Sequence, residues 1–138
     1  MNRQKILIVD DDPVIVKAMS LKLVPAGYDV VSAGEGSEAI STARKEKPDL
    51  ILLDLNFPAD VGLHWDGFKV IAWLQRVDES KGLPVIVISG GDAAKFKARA
   101  IQAGAVAYLQ KPVNNDELLA LIKQSIATAA RPETAQRA

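Results

Sequence analysis

Cysteine is absent from the 138-residue sequence, which excludes disulfides, thiol nucleophiles and cysteine metal sites. Histidine occurs once, at His64, and one histidine without neighbouring ligands argues against a metal-binding or phosphohistidine role for it. Charge of one sign is not in excess either. Seventeen basic residues balance seventeen acidic ones, so no net field draws the chain to nucleic acid or to an anionic membrane, and any charge-based function must be local. No apolar stretch is long enough to span a bilayer, and the polar start Met1-Asn2-Arg3-Gln4-Lys5 has no signal-peptide pattern. A cytoplasmic protein of one domain is therefore expected, since the length suffices for one proper core and not for two ordinary domains.

What is present is a repeated arrangement. The apolar run Ile6-Leu7-Ile8-Val9 ends at Asp10-Asp11-Asp12, and Leu50-Ile51-Leu52-Leu53 ends at Asp54. Val85-Ile86-Val87-Ile88 ends at Ser89, and Val106-Ala107-Tyr108-Leu109 leads to Gln110 and Lys111. Short runs of this kind read as buried parallel strands, and open α/β sheets bind ligands just beyond the carboxyl ends of such strands. Carboxylates, a hydroxyl and an ammonium thus share one sheet edge.

Helix signals fall between these runs. Asp12 can cap a first helix with Pro13 in its first turn and Ile15, Met19 and Leu23 along one face. Tyr28 to Ala33 reads as a further strand, and residues 37–47 as a helix burying Ala39, Ile40 and Ala43. Asp66-Gly67 precedes a helix carrying Val70, Ile71, Leu74 and Val77 on one side, and Asp92 can cap the next, which ends near Gly104. Asn114 with Glu117 resembles a capping box for a last helix with Leu118, Leu121 and Ile122 on its apolar face. Five strand–helix alternations predict an α/β fold: a doubly wound parallel sheet of five strands with helices on both faces. From residue 129 no apolar face recurs, so residues 1–128 are expected to form the domain and 129–138 a flexible tail or linker stub.

Residues 6–13, 48–58, 84–91 and 103–113 together resemble the receiver domain of two-component response regulators, over nearly the whole chain. The specific match is an ordered combination. An acidic pair follows the first strand, aspartate the third, serine the fourth, and Lys111-Pro112 the fifth. The resemblance implies a flavodoxin-like sheet of strand order 2-1-3-4-5 and a cis peptide between Lys111 and Pro112. It implies a signalling function rather than an enzyme acting on external substrates: Asp54 takes phosphate from a sensor histidine kinase or phosphotransfer protein, and later loses it by slow autodephosphorylation.

The residue types suit that chemistry. A carboxylate oxygen is already ionised near neutral pH and can attack phosphorus directly to give an acyl phosphate. Asp10 and Asp11 crowd Asp54 with like charge, which asks for a divalent cation. Hard oxygen ligands and an incoming phosphate favour Mg²⁺, with Mn²⁺ able to substitute. By resemblance Asp11 and Asp54 ligate the ion directly, Asp10 mainly through water, and Asn56 through its main-chain carbonyl. Lys111 would hold phosphoryl oxygens from the opposite side. Ser89 would bond the new phosphoryl group and act as the switch with Tyr108, moving the face of the fourth helix, fifth strand and fifth helix that meets a downstream protein. Gly90-Gly91 is expected to make the switch loop mobile. Homodimerisation is left open.

One departure stands out. The family joins the acceptor strand to the third helix by a short Pro-x-x-Asp-Gly turn, whereas Ala-Asp-Val-Gly-Leu-His-Trp separates Pro58 from Asp66-Gly67 here. His64 and Trp65 in this longer loop are candidates for gating the site or selecting a partner, against a plain surface insertion. Two other functions compete with the receiver reading. A dehalogenase-type hydrolase would need a second acid two residues after its nucleophile, where Asn56 stands. A phosphorylation-independent pseudo-receiver module would not need the complete set of acids, hydroxyl and lysine.

Overall fold

The computed structural model describes residues 3–34, 36–54, 67–76, 82–90 and 93–137. Among them strands and helices alternate: β1 (Gln4–Val9), α1 (Pro13–Leu23), β2 (Tyr28–Ala33), α2 (Gly36–Glu46), β3 (Leu50–Asp54), α3 (Gly67–Arg76), β4 (Val85–Ser89), α4 (Ala93–Ala103), β5 (Ala107–Gln110) and α5 (Asn115–Arg137). The strands form one five-stranded sheet in the order β2-β1-β3-β4-β5, with every neighbouring pair parallel. This is the doubly wound arrangement expected from the alternation, in the flavodoxin-like strand order that the resemblance implies.

The apolar runs are continuous because both faces of the central strands are covered. Successive side chains alternate across a strand. Leu7, Val9, Ile51, Leu53, Val85 and Val87 pack with Ala39, Ile40 and Ala43 of α2, Val70, Ile71 and Leu74 of α3, and Ala100 of α4. Ile6, Ile8, Leu50, Leu52, Ile86 and Ile88 pack on the other face with Met19 and Leu23 of α1 and Leu118, Ile122 and Ile126 of α5. Two helices therefore cover one face and three the other.

Helix ends follow local chemistry. The Asp12 carboxylate accepts the Val14 N–H at 2.9 Å and caps α1, with Pro13 in its first turn. Asn114 Oδ1 accepts the Glu117 N–H at 3.0 Å and caps α5. Gly104, at φ 126°, ends α4 in a conformation that a side chain would strain. Asp66, Val77 and Asp92 lie outside the described residues.

Two details differ from the sequence reading. Val106 is 52 % exposed and β5 begins only at Ala107, because β5 is an edge strand and its entry is not covered from both sides. In the backbone α5 runs on to Arg137, where a tail is expected from residue 129. Ala127, Ala129 and Ala130 favour helix without needing an apolar face, which periodicity alone does not detect.

Candidate functional site

Sheet order and register bring the expected residues to one edge. The chain leaves β1 for β2 on one side and returns to β3 on the other, so the crevice of a doubly wound sheet opens where β1 and β3 end. Val9 pairs with Leu53, which sets Asp10 level with Asp54. Asp54 pairs with Ile88, so Ser89 stands one residue beyond, and Ser89 pairs with Gln110, just before Lys111. Asp10 is 6 % exposed, Asp54 8 % and Ser89 2 %, whereas Asp11 is exposed.

Lys111 closes the site from the fifth strand. Its Nζ donates to Asp54 Oδ2 at 2.7 Å, and its backbone N–H donates to the Ser89 carbonyl at 2.8 Å. The Lys111–Pro112 peptide is cis. Asp10 is held from three sides: its N–H donates to the Ala33 carbonyl at 3.0 Å, its Oδ1 accepts the Asp12 N–H at 2.9 Å, and its carboxyl group hydrogen-bonds Asp54. Burial foremost, then that bond to Asp54, pushes Asp10 up from 3.8 to about 7, with the Asp12 amide and the Lys111 charge opposing the rise. Below the acids Ile8, Ile15, Met19, Leu52 and Ile88 line a cavity of about 10 Å³, so the floor of the site is apolar and its roof ionic.

Tyr108 is buried in the core cluster shared with α2, α3 and α4. It pairs with Val87, and by the two-residue period of a strand Ser89 faces the same side of the sheet. Tyr108 also borders a groove of about 310 Å³ between α4 and α5, together with Lys97, Pro112, Val113, Asn114 and Glu117.

Among the described residues no three His, Cys, Asp or Glu side chains converge as a metal cage. Asp10 and Asp54 meet, Asp11 does not join them, and Asn56 lies outside the described residues, as do His64, Trp65 and Gly91. The pair that does meet suits a hard divalent cation. Two buried carboxyl groups in contact cannot both ionise cheaply, and Mg²⁺ takes one or two carboxylates while keeping several waters. The sequence reading does not foresee the Asp12 amide as a holder of Asp10. The signal was available, since an aspartate side chain commonly accepts the N–H two residues on.

Comparison with known proteins agrees with this geometry. The family described as "Response regulator receiver domain" matches residues 6–123. Protein PilH of Pseudomonas aeruginosa is 35 % identical over 123 residues, covering 89 % of this chain and 98 % of PilH. Transcriptional regulatory protein GlrR of Escherichia coli is 34 % identical over 132 residues, 96 % of this chain but 28 % of GlrR. More widely, the chain spans 28 % to 50 % of the length of several curated transcriptional regulators that it matches. The receiver domain of sensor histidine kinase PA1611 from P. aeruginosa, solved with a magnesium ion in its active site cleft, superposes with a TM-score of 0.79 at 27 % identity, covering 91 % of this chain and 99 % of that one.

The chain belongs to the receiver domain family of two-component response regulators. It is a signalling domain of the CheY-like, flavodoxin-like kind, and the dehalogenase reading is set aside. No helix among the described residues is long and apolar enough to cross a membrane.

Proposed function

We propose that Asp54 is the phosphoacceptor and that Asp10, Asp11, Lys111 and Ser89 serve its chemistry. The observation that carries this is the buried meeting of Asp54 with Asp10 on one side and the Lys111 ammonium on the other. An Asp54 carboxylate oxygen forms a bond to phosphorus, and the bond from phosphorus to the donor histidine nitrogen breaks, the electron pair and a proton going to the imidazole. Bound Mg²⁺, or Mn²⁺ in its place, would offset charge on the phosphoryl oxygens. Asp10 and Asp54 would hold it, joined by Asp11 and the Asn56 carbonyl as the family resemblance implies. Lys111, now on Asp54 Oδ2, would turn to a phosphoryl oxygen once Asp54 carries the acyl phosphate. The Ser89 hydroxyl would donate to another, drawing the start of its loop toward the acceptor and shifting Tyr108 on the same face.

The donor is a histidine kinase or phosphotransfer protein, and loss of phosphate follows by attack of water on the acyl phosphate, a slow autophosphatase step. The output is a change in the α4–β5–α5 face, where the groove beside Tyr108 meets a downstream protein. Residues 1–128 form the receiver unit, working in the cytoplasm without contacting nucleic acid, and the end of α5 from residue 129 serves as a tail or linker. His64 and Trp65 remain the candidates for partner selection.

Incubating the chain with a small phosphodonor and Mg²⁺ and reading intact mass tests the proposal. A gain of about 80 Da that disappears with chelator and in Asp54→Asn is the expected result. Equal modification of the Asp54→Asn chain would reject Asp54 as acceptor.

A further inference from the structure

Asp12 has no ligand role in the proposed chemistry, yet its backbone and side chain are bound at three points. Its N–H donates to Asp10 Oδ1 at 2.9 Å, its carboxylate accepts from Val14 N–H at 2.9 Å, and its carbonyl accepts from Val16 N–H at 3.1 Å. The backbone of Asp10 is tied to β2 through the Ala33 carbonyl, but its carboxyl group has only the Asp12 amide to hold it from its own turn. We infer that Asp12 is a positioning residue: by capping α1 it fixes the peptide whose N–H orients the Asp10 carboxylate toward Asp54 and the cation.

The physical argument lies in the geometry of the turn. At φ −98° and ψ 110° Asp12 is extended while the next residue is helical, a junction that an N-cap side chain stabilises. Without the cap the Asp11–Asp12 peptide can rotate, and its N–H leaves the Asp10 oxygen. Groups that orient a ligand commonly cost about 10-fold to 100-fold in metal affinity when removed. The hydrogen bond carries the effect, not the charge, because the exposed carboxylate points its bonding oxygen at Val14.

This inference rests on the proposed divalent site, so its test includes a readout that needs no metal. Asp12→Ala and Asp12→Ser are compared with the native chain by calorimetric titration with Mg²⁺ and by amide hydrogen exchange of residue 12 without metal. Serine keeps a capping oxygen and removes the charge. Asp12→Ala should lose protection of its own amide and bind Mg²⁺ about 10-fold more weakly, and Asp12→Ser should recover both. If Asp12→Ala unfolds at lower temperature but keeps its amide protection and Mg²⁺ affinity, the residue is only a cap and the inference fails. If Asp12→Ser is as weak as Asp12→Ala, charge is responsible and the inference also fails. Should the native chain bind no Mg²⁺, the metal reading falls, and amide exchange alone decides whether Asp12 orients the turn.

Discussion

Lys111 Nζ lies 2.7 Å from Asp54 Oδ2, joining the ends of β5 and β3 across the intervening β4. The ammonium thereby occupies the place where a phosphoryl oxygen on Asp54 would next need a positive partner. Removing it should slow chemistry more than binding. Lys111→Ala is expected to cut the rate of phosphorylation by a small donor about 100-fold, the scale of losing one charge-stabilising donor. Lys111→Arg should recover little, because a planar fork does not reproduce a compact ammonium. Initial rates from intact-mass time courses check both, and a native rate in Lys111→Ala would contradict the assignment.

Asp10 links the site to pH. Its folded value is raised to about 7 from 3.8, so between those values the folded state holds a proton that the unfolded chain has released. The sign follows: this contribution to stability is fully present below about pH 4 and lost as pH rises through about 7. In chelator, the melting temperature of the native chain should therefore fall from pH 5 to 8 more steeply than that of Asp10→Asn. Saturating Mg²⁺ should flatten the native slope. Parallel slopes for native and variant in chelator would show that Asp10 carries no raised value.

Ser89 and Tyr108 face the same side of the sheet on adjacent strands, Tyr108 opposite Val87. Ser89→Ala should still take up phosphate, read by mass, but the aromatic NMR signals of Tyr108 should no longer shift when it does. The same Tyr108 shift with and without the hydroxyl would separate the two residues.

Gly104 combines φ 126° with a neighbour: a Cβ built there would meet Gln75 Cγ at 2.8 Å. Gly104→Ala should destabilise the fold by about 1–3 kcal/mol in denaturant unfolding. Adding Gln75→Ala should recover only the steric part, leaving the backbone strain. Complete recovery would mean that the conformation itself costs nothing.

Much of this was legible because buried parallel strands announce themselves. Leu50 to Leu53 is apolar throughout since both faces are covered, and its end at Asp54 marks the sheet edge where the polar residues gather. Asp12-Pro13 marked the start of α1 through capping chemistry. The contact of Lys111 with Asp54 spans 57 residues, and no local pattern encodes it; the family resemblance implies a place for Lys111 at the phosphoryl oxygens and not this ion pair. Asp10 and Asp11 are neighbours in sequence, and which of them is buried against Asp54 depends on the turn at Asp12, not on composition. Val106 reads as part of a buried run but is exposed, because strand propensity does not reveal which strand lies at the sheet edge.

The most direct measurement traps the acyl phosphate itself. The chain is phosphorylated with a small donor and Mg²⁺, reduced with borohydride, digested and sequenced by mass spectrometry. An aspartyl phosphate is reduced at its acyl carbon, so homoserine should replace aspartate at position 54 and nowhere else. Homoserine at position 10 or 11, with Asp54 unmodified, would contradict the account.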